Sequence, residues 1–160
     1  MMIATLGAGC FWGVEHFIEP LAGVLRVRCG YMGGDLPNPT YEQVKQGNTG
    51  HAEVVEIVFD EQQISFMDLL EIFWQYHNPT TVNQQGEDLG SQYRSVIFCH
   101  SPMQQQQAQH SKNQQQQHGH WAQKTIVTEI VAASQFWEAE EYHQGYFSKH
   151  NLPSCHLPFY

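Results

Sequence analysis

The chain predicts an α+β sandwich, on three observations. Strand-like and helix-like segments follow one another irregularly, without the strict alternation that builds a doubly wound parallel sheet. A strand over 52–59 is followed at once by an amphipathic helix, so both periods are present in one unit. The 160 residues are 41% hydrophobic, with nine Phe, seven Tyr and four Trp, enough for one packed core and too little for two.

The elements follow in order. Residues 3–8 read as a short buried strand running into Gly9-Cys10, and a helix follows over 12–18, ended by Pro20. Residues 24–31 alternate as a strand, and the Gly- and Pro-rich stretch 33–39 is loop. Residues 41–46 predict a short helix, and 52–59 a strand bounded by Thr49-Gly50 and Asp60. Ser65 and Asp68 make a capping box for a helix whose apolar stripe is Leu69, Leu70, Ile72, Phe73 and Tyr76. Residues 79–92 form a polar loop, long enough to suggest a functional one. A strand is expected over 95–99. Residues 102–118, with two four-glutamine runs, predict a solvated surface helix of low complexity. A strand over 126–132 and a helix over 137–150 precede a tail that Pro153 and Pro158 keep irregular.

Charged residues are only 14% of the chain, and Gln and His fill much of the polar surface. A formal net charge of −9 argues against a nucleic-acid backbone or an anionic membrane face as partner. No apolar run approaches roughly 18 residues, so no membrane span is expected. The first ten residues lack the basic start and long apolar stretch of a secretory signal, and a cytoplasmic location is the expectation. There Cys10, Cys29, Cys99 and Cys155 should be reduced. None forms a C-x-x-C pair, so no metal site is expected and a catalytic or redox cysteine is.

Cys10 lies between a strand end and a helix start, in Gly9-Cys10-Phe11-Trp12-Gly13. Unpaired N–H groups and the helix dipole favour an anion there, so its thiol should ionise more readily than the reference ~8.5. The competing reading is a buried, inert cysteine. Glu53 shares a strand face with Val55, Ile57 and Phe59, and Val54 and Val58 flank Glu56 on the other face. Burial there would raise its carboxyl toward ~6–7, the range of a general acid. The alternative is a frayed strand end paired with a surface cation. Tyr41 and Tyr93 stand beside loops and are placed to donate to a developing oxyanion or, more simply, to pack. Asp88 and Arg94 flank the long loop and would equally make a salt bridge. His51 and His143 are the candidates for a Cys–His pair. Cys29 and Cys99, both in strand-like segments, are expected to be structural.

With these residues in view, the chain resembles the peptide methionine sulfoxide reductase A family. The signature Gly-Cys-Phe-Trp-Gly stands at 9–13, Asn38-Pro39-Thr40-Tyr41-Glu42-Gln43-Val44 matches a second block, and Thr49-Gly50-His51-Ala52-Glu53-Val54-Val55 a third. Asp88-Leu89-Gly90-Ser91-Gln92-Tyr93-Arg94-Ser95 and Tyr142-His143-Gln144 complete an ordered set that spans nearly the whole chain. The resemblance implies a two-layer sandwich with a ferredoxin-like mixed sheet, in one domain over 1–160. It implies reduction of methionine-S-sulfoxide, free and in proteins, as a repair of oxidised proteins. It puts the nucleophile on Cys10, the proton donor on Glu53, the oxygen-binding tyrosines on Tyr41 and Tyr93 and a supporting acid on Asp88. Phe11 and Trp12 would wall the substrate methyl group. Cys10 would pass through a sulfenic acid to a disulfide with Cys155, carried on a mobile tail over 151–160, and thioredoxin would restore both thiols with no bound cofactor. A monomer is expected. The chain departs from many relatives in having Pro153-Ser154-Cys155 where they have Gly-Tyr-Cys, no later cysteine, and Asn78 in place of Asp.

Two other classes share the residues. A different thiol enzyme, a peroxidase or Cys–His hydrolase, would consume peroxide or depend on His51 or His143. A non-catalytic module would bind through Phe11, Trp12, Tyr41 and Trp74 and survive Cys10→Ser.

Overall fold

A computed structural model describes residues 1–152 and 156–160. Its described residues form a mixed α/β structure: six strands make one sheet, two more make a separate hairpin, and there are five α-helices. The strands are β1 (Met2–Ala8), β2 (Val24–Met32), β3 (Ala52–Phe59), β4 (Gln84–Gln85), β5 (Asp88–Leu89), β6 (Ser95–Cys99), β7 (Glu129–Ala132) and β8 (Trp137–Glu138). The helices are α1 (Phe11–Ile18), α2 (Tyr41–Lys45), α3 (Phe66–Tyr76), α4 (Pro102–His118) and α5 (Tyr146–Lys149).

The sheet order is β7-β6-β1-β3-β2-β8, antiparallel throughout except for the parallel β6–β7 pair. Central strand β3 is buried on both faces along most of its length, which is why it reads as nearly continuous apolar sequence rather than a clean alternation. The larger cluster gathers Ala4, Leu6, Val55, Ile57 and Phe59 from the sheet with Phe11, Val14, Ile18, Leu69, Leu70, Phe73, Trp74 and Ala108 from α1, α3 and α4. The opposite face has a small cluster of Met32, Ala52, Val54, Val96 and Phe98, roofed by Ala133 and Phe136. Glu53 shares the parity of Val55 and therefore projects toward the helix-covered face.

Local signals held where local physics decides. The Ser65–Asp68 capping box closes the start of α3, and a second, Thr40–Gln43, closes α2. Three segments differ from expectation in their secondary structure. The loop over 79–92 contains the hairpin β4–β5, turning at Gly86 (φ 59°), and a 3₁₀ turn, Ser91–Tyr93. The strand expected over 126–132 begins only at Glu129, because Val127 N donates to Pro79 O (2.8 Å) and Ile126 N to the Gln116 side chain (2.8 Å). The helix expected over 137–150 is instead β8, a 3₁₀ turn (Glu141–His143) and the single turn α5. The backbone there pairs with a distant strand instead of with itself: Trp137–Glu138 runs antiparallel to Gly30–Tyr31 and Ala139 N donates to Cys29 O (2.9 Å), while the Gln144 side-chain amide accepts from Cys29 N (2.8 Å) and donates to Cys29 O (3.0 Å). Gly145 then turns the chain at φ 64°.

The glutamine-rich α4 is solvated on one side only. Gln104 is buried, accepting from His100 N (2.9 Å) and donating to Ile3 O (2.8 Å), and Ser111 accepts from the buried Trp74 indole (2.7 Å). The helix docks through satisfied polar contacts, which a search for an apolar stripe overlooks. Past the undescribed stretch, His156 Nε2 donates to Ala8 O (2.8 Å), Phe159 N to Gln75 O (2.8 Å), and Phe159 packs on Trp121. Among the described residues no helix is long and apolar enough to cross a membrane.

Candidate active site

Cys10 is the N-cap of α1, half-buried, with its carbonyl accepting from Gly13 N (3.2 Å) and Val14 N (3.3 Å). The strand-to-helix turn depends on Gly9, which has φ 93° and where a Cβ would stand 2.7 Å from Gln85 Cγ. Gln85 in turn ties hairpin β4–β5 to Asn78, accepting from its N–H (2.9 Å) and donating to its carbonyl (2.8 Å). Strand, helix start and hairpin thus meet at the nucleophile candidate.

The next residue brings in Glu53. Phe11 N donates to Glu53 Oε1 at 3.2 Å, and the Glu53 residue is only 2% exposed. Burial raises its carboxyl from the ordinary 4.5 to about 8, with the Phe11 N–H opposing and the Asp88 carboxylate adding to the rise. No surface cation pairs with it among the described residues, so the frayed-end reading fails.

The two tyrosines come to this acid from separate segments, Tyr41 at the start of α2 and Tyr93 in the 3₁₀ turn before β6. Burial, then Glu53 and Cys10, push the Tyr41 hydroxyl up to about 12, while a hydroxyl contact from Tyr93 pulls it down. Burial, then Glu53, Tyr41, Asp88 and Cys10, push the Tyr93 hydroxyl up as well. Cys10, Glu53, Tyr41, Tyr93 and Asp88 therefore sense one another's charge, and both phenols stay protonated donors near neutral pH. Arg94 stands apart: it pairs with Glu129 (3.2 Å) and donates to Ser91 O and Gly50 O.

The aromatic wall has two layers. Phe11 is fully buried against Tyr31 (centroids 5.6 Å) and beneath Tyr41 (6.5 Å, stacked). Trp12 is half-buried, stacked on Tyr146 at 3.7 Å. Trp74 lies deep in the core with no exposure, which removes it from any surface patch. Of the two histidine candidates, His51 closes a loop, accepting from Gly34 N (3.0 Å) and donating to Leu36 O (2.8 Å). His143 accepts from the Trp12 indole N–H at 2.9 Å. Cys29 is buried, its thiol donating to Phe11 O (3.5 Å), and burial drives its ionisation far above the ordinary range. Burial also raises the Cys99 thiol. Cys155 lies outside the described residues.

Sequence reasoning missed the strap that holds this wall. Glu140 accepts from Tyr31 OH (2.9 Å) and Tyr41 N (3.0 Å), and Glu15 accepts from Gly145 N (2.7 Å). Glu15 is 4% exposed, and burial lifts its carboxyl to about 7. The one signal was the acidic cluster Glu138-Ala139-Glu140-Glu141 directly before Tyr142-His143-Gln144. Among the described residues no group of three or more His, Cys, Asp or Glu side chains is arranged to hold a metal ion.

The family model for peptide methionine sulfoxide reductase matches residues 2–160. The peptide methionine sulfoxide reductase MsrA of Methanothermobacter thermautotrophicus is 53% identical over 154 residues, covering 96% of this chain and 90% of that protein. Among solved structures, Mxr1 from Saccharomyces cerevisiae in reduced form superposes with a TM-score of 0.90 at 34% identity, over 98% of this chain and 91% of that one. Mxr1 in complex with Trx2 superposes with a TM-score of 0.67 at 26% identity, over 98% of this chain and 88% of that one.

Proposed function

The chain belongs to the peptide methionine sulfoxide reductase family and reduces methionine-S-sulfoxide to methionine by thiol chemistry, and within that reaction we propose that Cys10 is the nucleophile and Glu53 the proton donor. One observation carries the assignment. A buried carboxyl, uncharged near neutral pH, is hydrogen-bonded to the amide next to the Cys10 sulfur's own residue.

A sulfoxide sulfur is electrophilic, but its oxygen leaves only when protonated or strongly hydrogen-bonded. The Cys10 thiolate attacks that sulfur while neutral Glu53 delivers a proton to the oxygen. Tyr41 and Tyr93, still protonated, donate to the same oxygen, each well-placed donor contributing ~2.7–4 kcal/mol in the transition state. Oxygen passes to Cys10 as a sulfenic acid: the cysteine is oxidised by two electrons, the substrate sulfur is reduced by two, and methionine leaves. Cys155 then condenses with the sulfenic acid, forming a disulfide and releasing water. Thioredoxin restores both thiols by exchange and carries the disulfide away. Asp88 supports the site by keeping Glu53 protonated. Trp12 walls the substrate methyl group, with Phe11 behind it.

The same reading takes residues 1–160 as one domain, a two-layer sandwich with a ferredoxin-like core, acting as a cytoplasmic monomer. Helices on one face of the sheet and a single large core support it. No bound cofactor enters the scheme, because the substrate oxidises the cysteine directly. Substrates are free methionine-S-sulfoxide and the same residue in oxidised proteins, so the activity is repair. Cys10→Ser tests the centre of the scheme: methionine release from methionine-S-sulfoxide should vanish, and turnover near that of the unaltered protein rejects it.

A further inference from the structure

The reaction leaves one buried titratable group beside the site unused. His143 has no exposed surface, and its Nδ1 receives the Trp12 indole N–H at 2.9 Å. An indole nitrogen only donates, so Nδ1 must present its lone pair and the imidazole proton must sit on Nε2. Among the described residues Nε2 is buried with no partner, and the bond to Trp12 is the ring's one hydrogen bond.

The surroundings agree. The imidazole is wedged against Tyr41 (centroids 4.5 Å), Phe11 (5.1 Å) and Tyr142 (4.0 Å), between the residues assigned to the substrate's oxygen and those assigned to its methyl group. The groups facing it that titrate or carry charge are Glu140 on its own strap, Tyr142 beside it and Tyr41 on α2; α1 presents only Phe11 and Trp12. Burial holds the imidazole below its ordinary value and Glu140 opposes this, so the neutral ring prevails at neutral pH.

We propose that His143 is a positioning residue for the methyl pocket, fixing the Trp12 indole through unprotonated Nδ1 and releasing it when the imidazole takes up a proton. The proposal rests on Trp12 walling the substrate, as read above. In the imidazolium, Nδ1–H confronts the indole N–H, donor against donor, and Trp12 is left with its ring packing on Tyr146 and Phe147.

Two substitutions and one spectrum test it. His143→Asn sets an oxygen where Nδ1 stood and keeps the acceptor, whereas His143→Phe keeps the ring and loses it. Single-turnover rates at rising concentrations of free methionine-S-sulfoxide give a half-saturating concentration and a limiting rate. His143→Phe should raise the former about fivefold, the value of one neutral hydrogen bond, with the limiting rate within about twofold. His143→Asn should restore it. The Trp12 indole N–H resonance, identified by its loss in Trp12→Phe, should shift in the unaltered protein as acid protonates the imidazole, and should not shift in His143→Asn. Unchanged half-saturation in His143→Phe, or an indole resonance in the unaltered protein that ignores acid until the fold is lost, overturns the proposal. The resonance needs no turnover and no His143→Phe protein. A misfolded variant therefore leaves the test intact, and an unaltered protein that reduces nothing counts against the reaction rather than the tether.

Discussion

Replacing Glu53 by Gln isolates one proton. The amide keeps the side chain's shape and an oxygen to accept from Phe11 N, now at 3.2 Å, but has no acid to give. With its carboxyl raised from 4.5 to about 8, Glu53 is neutral in roughly nine-tenths of molecules at pH 7. At 1.36 kcal/mol per pH unit, ionising it in place costs on the order of 5 kcal/mol more than in water. The neutral acid is the working form, so the alkaline limb of the rate is set by Glu53 and falls tenfold per unit above about pH 8, while any acid limb belongs to protonation of the Cys10 thiolate. Glu53→Gln should lower the single-turnover rate of methionine release by ~10²–10⁴, or ~2.7–5.5 kcal/mol, and erase the alkaline limb. Stability moves with a definite sign. The folded carboxyl holds its proton more tightly than the unfolded one, so its contribution is whole below 4.5 and is lost as pH rises through about 8. Unfolding by urea should show the variant equal to the parent in acid and more stable in alkali. A variant that turns over at the parent's rate, or a slow one that keeps the alkaline limb, refutes the proton-donor role.

Two other perturbations separate chemistry from recycling and core from site. Cys155→Ser should still release about one methionine per chain in a single turnover and then stall with thioredoxin; sustained cycling would transfer the resolving role to Cys29 or Cys99. His77 is wholly buried and donates to Phe73 O while Nε2 accepts from Ser95 Oγ (2.8 Å), and burial lowers its imidazole to about 3. The unfolded imidazole takes a proton below 6.5 and the folded one does not, so its contribution is whole above 6.5 and is lost as pH falls toward 3. Urea unfolding across that range should show a slope of up to ~1.36 kcal/mol per pH unit that His77→Gln diminishes; an identical slope in the variant would mean the buried ring is not neutral.

The elements whose causes are local were legible before any coordinates. The Ser65–Asp68 box, the apolar stripe of α3 and the Gly9-Cys10 turn into α1 are set by residues within a few positions of one another. The residue types at Cys10 and Glu53 pointed to thiol and acid chemistry, because few side chains can attack sulfur or lend a proton at neutral pH, whereas Tyr41 and Tyr93 read by themselves as packing residues and took their expected roles from the family resemblance. The segments that went wrong are those whose backbone partners lie far away. Residues 137–150 have helical composition, yet the backbone of Trp137–Ala139 bonds to Cys29, Gly30 and Tyr31 more than a hundred positions earlier, and a backbone group used there is lost to a helix. Gln104 and Ser111 read as solvent-facing and are buried because a distant carbonyl and an indole satisfy them.

The amino-acid order alone determined the inventory: a thiol at a helix mouth, an acid on an apolar strand face, phenols beside glycine-rich turns. Only the tertiary structure decided that they lie together, that Glu53 loses its charge and that the His143 ring accepts from the Trp12 indole. The physical reason is range. Strand and helix period, capping and turn chemistry act over a few residues, whereas a carboxyl's desolvation and a ring nitrogen's partner depend on whatever the folded chain brings alongside, here across 42 and 131 positions.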